Sequence, residues 1–274
     1  MKKTTNLNII SVLFALMVVI AACKGLYHPD VYLNTEPGIL RLAGHQDFAI
    51  LVIFVPLLLF STWLTAQSHF RGTLLWIGTV GYLGYVYSGY SFGGVCGELF
   101  LLHTAITGLS FFLLFIKLAN IDPETIRLRF IPVTPLRFTA FFMIGVAVLT
   151  EVIWFQEVLP IPKPLLSISV TDLKDFLALQ VLDLAFLGPL TFLAGLWLYL
   201  HKAGGYVLTA GLLVIIPAKY GTMVTDLNLA SIQGQANLVL VVLSVVALLM
   251  LVCFLKKLKE EKLTSFHNRI SNQF

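Results

Sequence analysis

The stretch FAILVIFVPLLLFSTWLT, Phe48–Thr65, carries no charged residue, and its reading decides the fold. A hydrocarbon core about 30 Å thick takes about 20 mostly apolar helical residues to cross. Runs of the same kind recur at Leu7–Ala22, Gly72–Tyr90, Leu99–Leu118, Phe138–Leu159, Phe176–Leu200, Gly205–Val224 and Ala236–Leu255. Together they predict about eight crossings in 274 residues, which leaves little chain for a water-soluble domain.

Composition points the same way. The chain is 58% hydrophobic and 12% charged, with a mean hydropathy of +0.91, whereas soluble domains carry about 25% charged residues. Within a bilayer only helices or closed barrels satisfy every backbone polar group, and continuous apolar runs predict helices rather than alternating barrel strands. The expected fold class is all-α, a polytopic transmembrane helical bundle forming one integral domain over residues 1–274, with a basic tail from residue 256.

With the amino terminus inside, eight crossings return the carboxyl terminus to the inside. Lys2, Lys3, Arg71, Lys117, Arg127, Arg129, Arg137, Lys202 and five basic tail residues then lie on the cytoplasmic face, 13 of the 18 Lys and Arg. That bias predicts a multi-pass membrane protein with both termini on the cytoplasmic face. The formal charge of +4 therefore reports topology, and no basic, aromatic-interleaved patch points to nucleic acid.

Two outer loops, His28–Asp47 and Pro160–Asp175, are long enough for local structure, and Pro160, Pro162 and Pro164 predict an extended course for the second. Asp122-Pro123-Glu124 reads as a helix start, with Asp122 as cap and a short interfacial helix running toward Arg129. The amino terminus has two readings. Lys2, Lys3, an apolar stretch and Ile20-Ala21-Ala22-Cys23 fit either an uncleaved first span or a lipoprotein signal cleaved before Cys23. Cys23 and Cys96 both fall near the outer surface, which permits a disulfide, while Cys253 lies toward the other face. No low-complexity segment and no clear internal repeat is visible.

Ionisable residues within spans are costly and usually face a bundle interior or cavity. Asp183 lies about seven residues from the outer end of its span, Lys219 about five and Glu151 about eight, while His103 and Glu98 enter from the outer end of the fourth span. The expected site is one polar layer in the outer half of the membrane, holding these five residues with Gln180 on the face of Asp183. Gln46, Asp47 and Asp226 form its expected outer rim. The layer is either an ion pair of Asp183 with Lys219 that locks helices together, or a protonation or ligand site set by burial. In the third span Gly78, Tyr82, Tyr85 and Gly89 share a face, which suits close helix packing or a Tyr-lined pocket. Pro189 and Pro217 predict kinks near the two opposite charges.

The series Trp76-Ile77-Gly78, Tyr82-Leu83-Gly84-Tyr85-Val86-Tyr87, Phe92-Gly93 and Leu99-Phe100-Leu101 resembles a family of uncharacterised bacterial multi-pass integral membrane proteins. Gly44-His45-Gln46-Asp47, Pro56, and Leu182-Asp183-Leu184 with Pro189 resemble it too, over most of residues 25–225. Relatives usually have Phe-Asn and then Tyr where this chain has Cys96, Gly97 and His103. The resemblance implies a membrane protein of about eight spans, with no established activity, and marks Gln46, Asp47, Tyr85, Asp183 and Lys219 for testing.

Three functions compete. The first is transport of a small solute, proton-coupled, through Glu151, Asp183 and Lys219. The second is a non-catalytic membrane scaffold or assembly factor. The third is an intramembrane enzyme or redox protein acting on lipid or quinone, with His103 or Glu98 as acid or base, or with His45 and His103 as haem ligands. No HExxH, CxxC, paired-aspartate motif or serine nucleophile at motif spacing supports the third. No catalytic residue, metal site or tightly held cofactor is expected, and the expected partners are the lipid bilayer and a small solute or proton.

Overall fold

A computed structural model describes residues 2–33, 37–94, 97–130, 136–158, 177–226 and 234–258. The helices are α1 (Lys2–Tyr27), α2 (Pro37–Ala49), α3 (Val55–Ala66), α4 (Phe70–Phe92), α5 (Phe100–Ala119), α6 (Pro123–Arg129), α7 (Leu136–Val158), α8 (Leu177–Leu182), α9 (Gly188–Tyr199), α10 (Ala203–Asp226) and α11 (Gly234–Lys256). Wide turns at Ile50–Phe54 and Asp183–Leu187 join α2 to α3 and α8 to α9 into continuous rods. Among the described residues the one β-type pairing is an isolated bridge, Phe130 with Leu258.

Seven rods are long and apolar enough to cross a membrane: Leu7–Tyr27, Leu42–Ala66, Phe100–Ala119, Leu136–Phe155, Leu177–Tyr199, Ala203–Thr222 and Leu238–Lys256. This is a multi-pass helical membrane protein. The remaining long helix, α4, buries 15 of its 23 residues and packs against α3, α5 and α10. Protein rather than lipid surrounds it, so its glycines, tyrosines and hydroxyls meet partners and its low apolarity carries no penalty. Lipid-facing rows lie elsewhere, as at Phe111, Phe112 and Phe115 on α5.

One end of the bundle is fixed by Arg71, which donates to the carbonyls of Leu255 (3.0 Å) and Leu258 (2.7 Å), and by Phe130, whose ring meets those of Tyr206 and Phe254 at tilted angles. The opposite end is closed by the Lys24–Glu98 ion pair between the end of α1 and the start of α5. The expected cap of α6 is present, with Asp122 accepting from the backbone N–H groups of Glu124 and Thr125. The expected loop His28–Asp47 is largely helical, with a 3₁₀ turn at Pro29–Tyr32 followed by α2. The expected extended segment Pro160–Asp175, Cys96 with its disulfide, and the tail beyond residue 258 lie outside the described residues.

The expectation of no repeat is overturned. Val55–Ala66 is matched by Gly188–Tyr199 and Ile50–Phe54 by Asp183–Leu187, an offset of 133 residues (188 − 55 and 183 − 50), and α10 starts 133 residues after α4. The turns before α4 and α10 share this offset bond for bond: Gln67, Ser68 and His69 donate to Trp63, Thr65 and Leu64, while Leu200, His201 and Lys202 donate to Leu196, Leu198 and Trp197. Ser68 and His201 both take positive φ, 64° and 54°. Tertiary contacts repeat as well, since α2 packs on α10 and α8 packs on α4. Each half contributes four long rods, and the shared offset in elements, turns and contacts makes the two halves repeats of one unit.

The halves meet where α4 crosses α10, with Gly78 against Gly211, residues one offset apart. A Cβ at Gly78 would sit 2.5 Å from the Val214 Cβ and 2.8 Å from the Gly211 carbonyl. Gly78→Leu is therefore expected to lower the thermal midpoint by several degrees, given overpacking costs of about 1–3 kcal/mol. Gly108→Leu, with open space around its Cα, should leave the midpoint unchanged, and a melting comparison of the two in detergent checks this.

Candidate functional site

Asp183 opens the wide turn of the second half. Pro189 has no N–H with which to continue an α ladder, and the chain before it widens until the Gly188 N–H reaches the Asp183 carbonyl. Pro56 follows Ile50 in the same way, with the Val55 N–H on the Ile50 carbonyl. Such wide turns are rare, and they concentrate at functional sites.

The Asp183 carboxylate is fully buried and holds three donors from three helices. Lys219 Nζ lies 2.5 Å from Oδ2, Trp154 Nε1 donates to Oδ2 at 2.8 Å, and the Tyr85 hydroxyl donates to Oδ1 at 3.0 Å. Lys219 also stands 5.8 Å from the ring centre of Tyr85 and 5.3 Å from that of Tyr220, so aromatic faces share its charge. The Tyr220 hydroxyl is 2.6 Å from Thr150 Oγ1. Tyr85 belongs to the first half while Trp154 and Lys219 belong to the second, so the carboxylate ties the halves together. Glu151, one turn before Trp154, lies within electrostatic reach of both Asp183 and Lys219. Its buried Oε1 and the Nε2 of Gln180 have no hydrogen-bond partner among the described residues.

A second polar centre occupies the first half. The Tyr32 hydroxyl donates to Asp47 Oδ2 at 2.8 Å, the Tyr90 hydroxyl donates to Gln46 Oε1 at 3.0 Å, and the Tyr87 hydroxyl donates to the Val18 carbonyl at 3.3 Å. Burial, and then the Asp47 charge beside it, push the Tyr32 phenol well above its ordinary range, so it stays a donor. The fully buried His103 imidazole lies among Tyr32, Tyr87 and Tyr90, with ring centres 6.3, 5.3 and 5.2 Å away. Neither of its nitrogens has a hydrogen-bond partner among the described residues, and the same is true of Asp47 Oδ1.

The five ionisable groups expected in one layer are thus divided. Asp183, Lys219 and Glu151 meet, with Gln180 beside them. His103 sits instead among Tyr32, Tyr87 and Tyr90, the first of which bonds Asp47, because its helix, α5, packs on α1 and α4. Glu98 is exposed and bonded to Lys24, whose hydrogen bond and charge hold its carboxyl below the ordinary range. Gln46 and Asp47 are core residues rather than a rim, since α2 turns inward onto α1 and α10. Tyr85 reaches Asp183, whereas the Tyr82 ring packs on Phe54 with centres 4.2 Å apart. His45 is exposed while His103 is buried, so the two do not face one enclosed haem position. Asp226 is placed at the end of α10, and its side chain lies outside the described residues. Trp154, Tyr32 and Tyr220 were not anticipated. Trp154 follows Glu151 by three residues and shares its face, a spacing that could have revealed it.

Comparison with protein families, curated proteins and solved structures finds no match to this chain.

Removing one member of a buried pair strands the other and typically costs about 3–5 kcal/mol, while replacing both with apolar groups costs far less. Asp183→Asn should therefore melt at a lower temperature than Asp183→Asn with Lys219→Met, a comparison that reads the coupling directly.

Because Glu98 has a lowered pKa when folded, its contribution is present above the ordinary carboxylate range and is lost as pH falls through the folded value. The pair is exposed, so the effect is small. A melting series against pH should show a loss on acidification that Glu98→Gln lacks.

Proposed function

We propose that the protein is a small-solute transporter of a bacterial cytoplasmic membrane, proton-coupled, with eight crossings and both termini cytoplasmic. The observation that carries this reading is the composition of the Asp183 centre. Asp183 pairs with one ammonium, Lys219, deep in the bundle, and a second carboxylate, the partly buried Glu151, lies within electrostatic reach of both. Buried groups of that kind resist a surplus negative charge and take up a proton or cation to offset it. The repeated halves support the same reading, because alternating access runs largely by one half rocking against the other around a fixed site. Tyr85 and Asp183 join the halves at that site, so the bond between the two moving parts lies at the charged centre itself.

A scaffold is the second reading, and it rests on the three donors already satisfying Asp183, as in a structural lock.

Purified protein reconstituted in liposomes separates the two readings. Currents on a solid-supported membrane are recorded against a panel of amino acids, amines and organic acids under an imposed pH gradient. Transport predicts a solute-dependent, proton-coupled current that Asp183→Asn with Lys219→Met abolishes while the protein stays folded. Absence of current with every solute, in well-folded protein, would favour the scaffold.

A further inference from the structure

The offset that relates the halves places Val86 of α4 opposite Lys219 of α10, and Tyr87 opposite Tyr220. In the second half the protein supplies its own ammonium: Lys219 pairs with a buried carboxylate and stands against two tyrosine rings. The first half has Ile50 and Val86 where that pair stands, and carries a carboxylate one turn earlier, Asp47, opposite Gln180 and beside the tyrosines Tyr32, Tyr87 and Tyr90. Among the described residues no Lys or Arg pairs with Asp47.

Three atoms there lack partners among the described residues, Asp47 Oδ1 and both nitrogens of His103, and both side chains are 0% exposed. An orphaned buried acceptor costs about 1–3 kcal/mol, and more when charged, so native structures rarely leave three together. A carboxylate oxygen accepts, and a neutral imidazole offers one acceptor and one donor. Tyrosine faces attract cations, most strongly when desolvated. We propose that Asp47 and His103, ringed by Tyr32, Tyr87 and Tyr90, bind a small protonated amine through its N–H groups, a cation from outside where Asp183 has Lys219.

The amine donates to Asp47 Oδ1 and to the unprotonated nitrogen of His103. A hydroxyl or carbonyl on the same molecule accepts from the remaining imidazole N–H. The proposal deepens the transport reading by naming a substrate class, and rests on it for translocation but not for binding.

The test is calorimetric titration of the purified full-length protein with methylammonium and with ethanolamine, against sodium and tetramethylammonium at matched ionic strength. Saturable binding of the two primary amines is expected, weakened at least 10-fold in Asp47→Asn and in His103→Phe. The second variant keeps an aromatic ring in the cluster, so it remains informative should Asp47→Asn fail to fold. Absence of binding, or equal binding of tetramethylammonium, which has no N–H, or of sodium, would overturn the proposal. A null titration beside an intact proton-coupled current removes this site and leaves the Asp183 reading standing; amine binding with no current does the reverse.

Discussion

The close approach of α4 and α10 at Gly78 and Gly211 is the constraint on which the rest of the bundle depends. Two helices can touch backbone to backbone only where side chains are absent, and in lipid such contacts replace the hydrophobic drive that assembles soluble cores. The contacting glycines are equivalent members of the two halves. Everything polar then follows from which way each α4 or α10 side chain leaves that contact. Tyr85 leaves toward the second half and meets Asp183, whereas Tyr87 and Tyr90 leave toward the first and surround His103.

Most spans were legible in the sequence because span length is a strong physical demand: seven of the eight expected runs coincide with rods apolar enough to cross, the second beginning at Leu42 rather than Phe48, while the eighth, over α4, is a buried helix. The pair Asp183 and Lys219 was legible for a similar reason: opposite charges at equal depth have few other ways to be satisfied. Glu98 was misplaced in depth, since it precedes α5 and is exposed beside Lys24, and His103 was misplaced because depth alone does not give azimuth. A residue on α5 reaches Asp183 or Asp47 depending on which side of α4 its helix occupies, and no periodicity in α5 states that.

The repeat was hidden for a different reason. A few backbone-determining positions persist across the offset, Pro56 with Pro189, Gly72 with Gly205 and Gly78 with Gly211, while lipid-facing positions exchange freely among apolar residues. Polar positions have diverged outright, Asp47 standing opposite Gln180 and Ile50 opposite Asp183. The backbone was retained and the chemistry was redistributed, so that one half pairs its most buried carboxylate, Asp183, with an internal lysine and the other has no Lys or Arg on Asp47 among the described residues.

The wide turns at Ile50–Phe54 and Asp183–Leu187 have a bearing on how such chains vary. Each winds one residue more into its rod than an α-helix would, and one α-helical residue is worth about 100° of rotation. The segments before and after the turn therefore present faces out of phase, which lets α2 and α8 aim polar side chains inward while α3 and α9 turn apolar faces to lipid. A single-residue deletion in either turn would restore continuous winding and swing the upstream segment by about 100° relative to the downstream one. Length in these two short stretches is thus under tighter constraint than residue identity, the inverse of the usual tolerance of apolar membrane sequence.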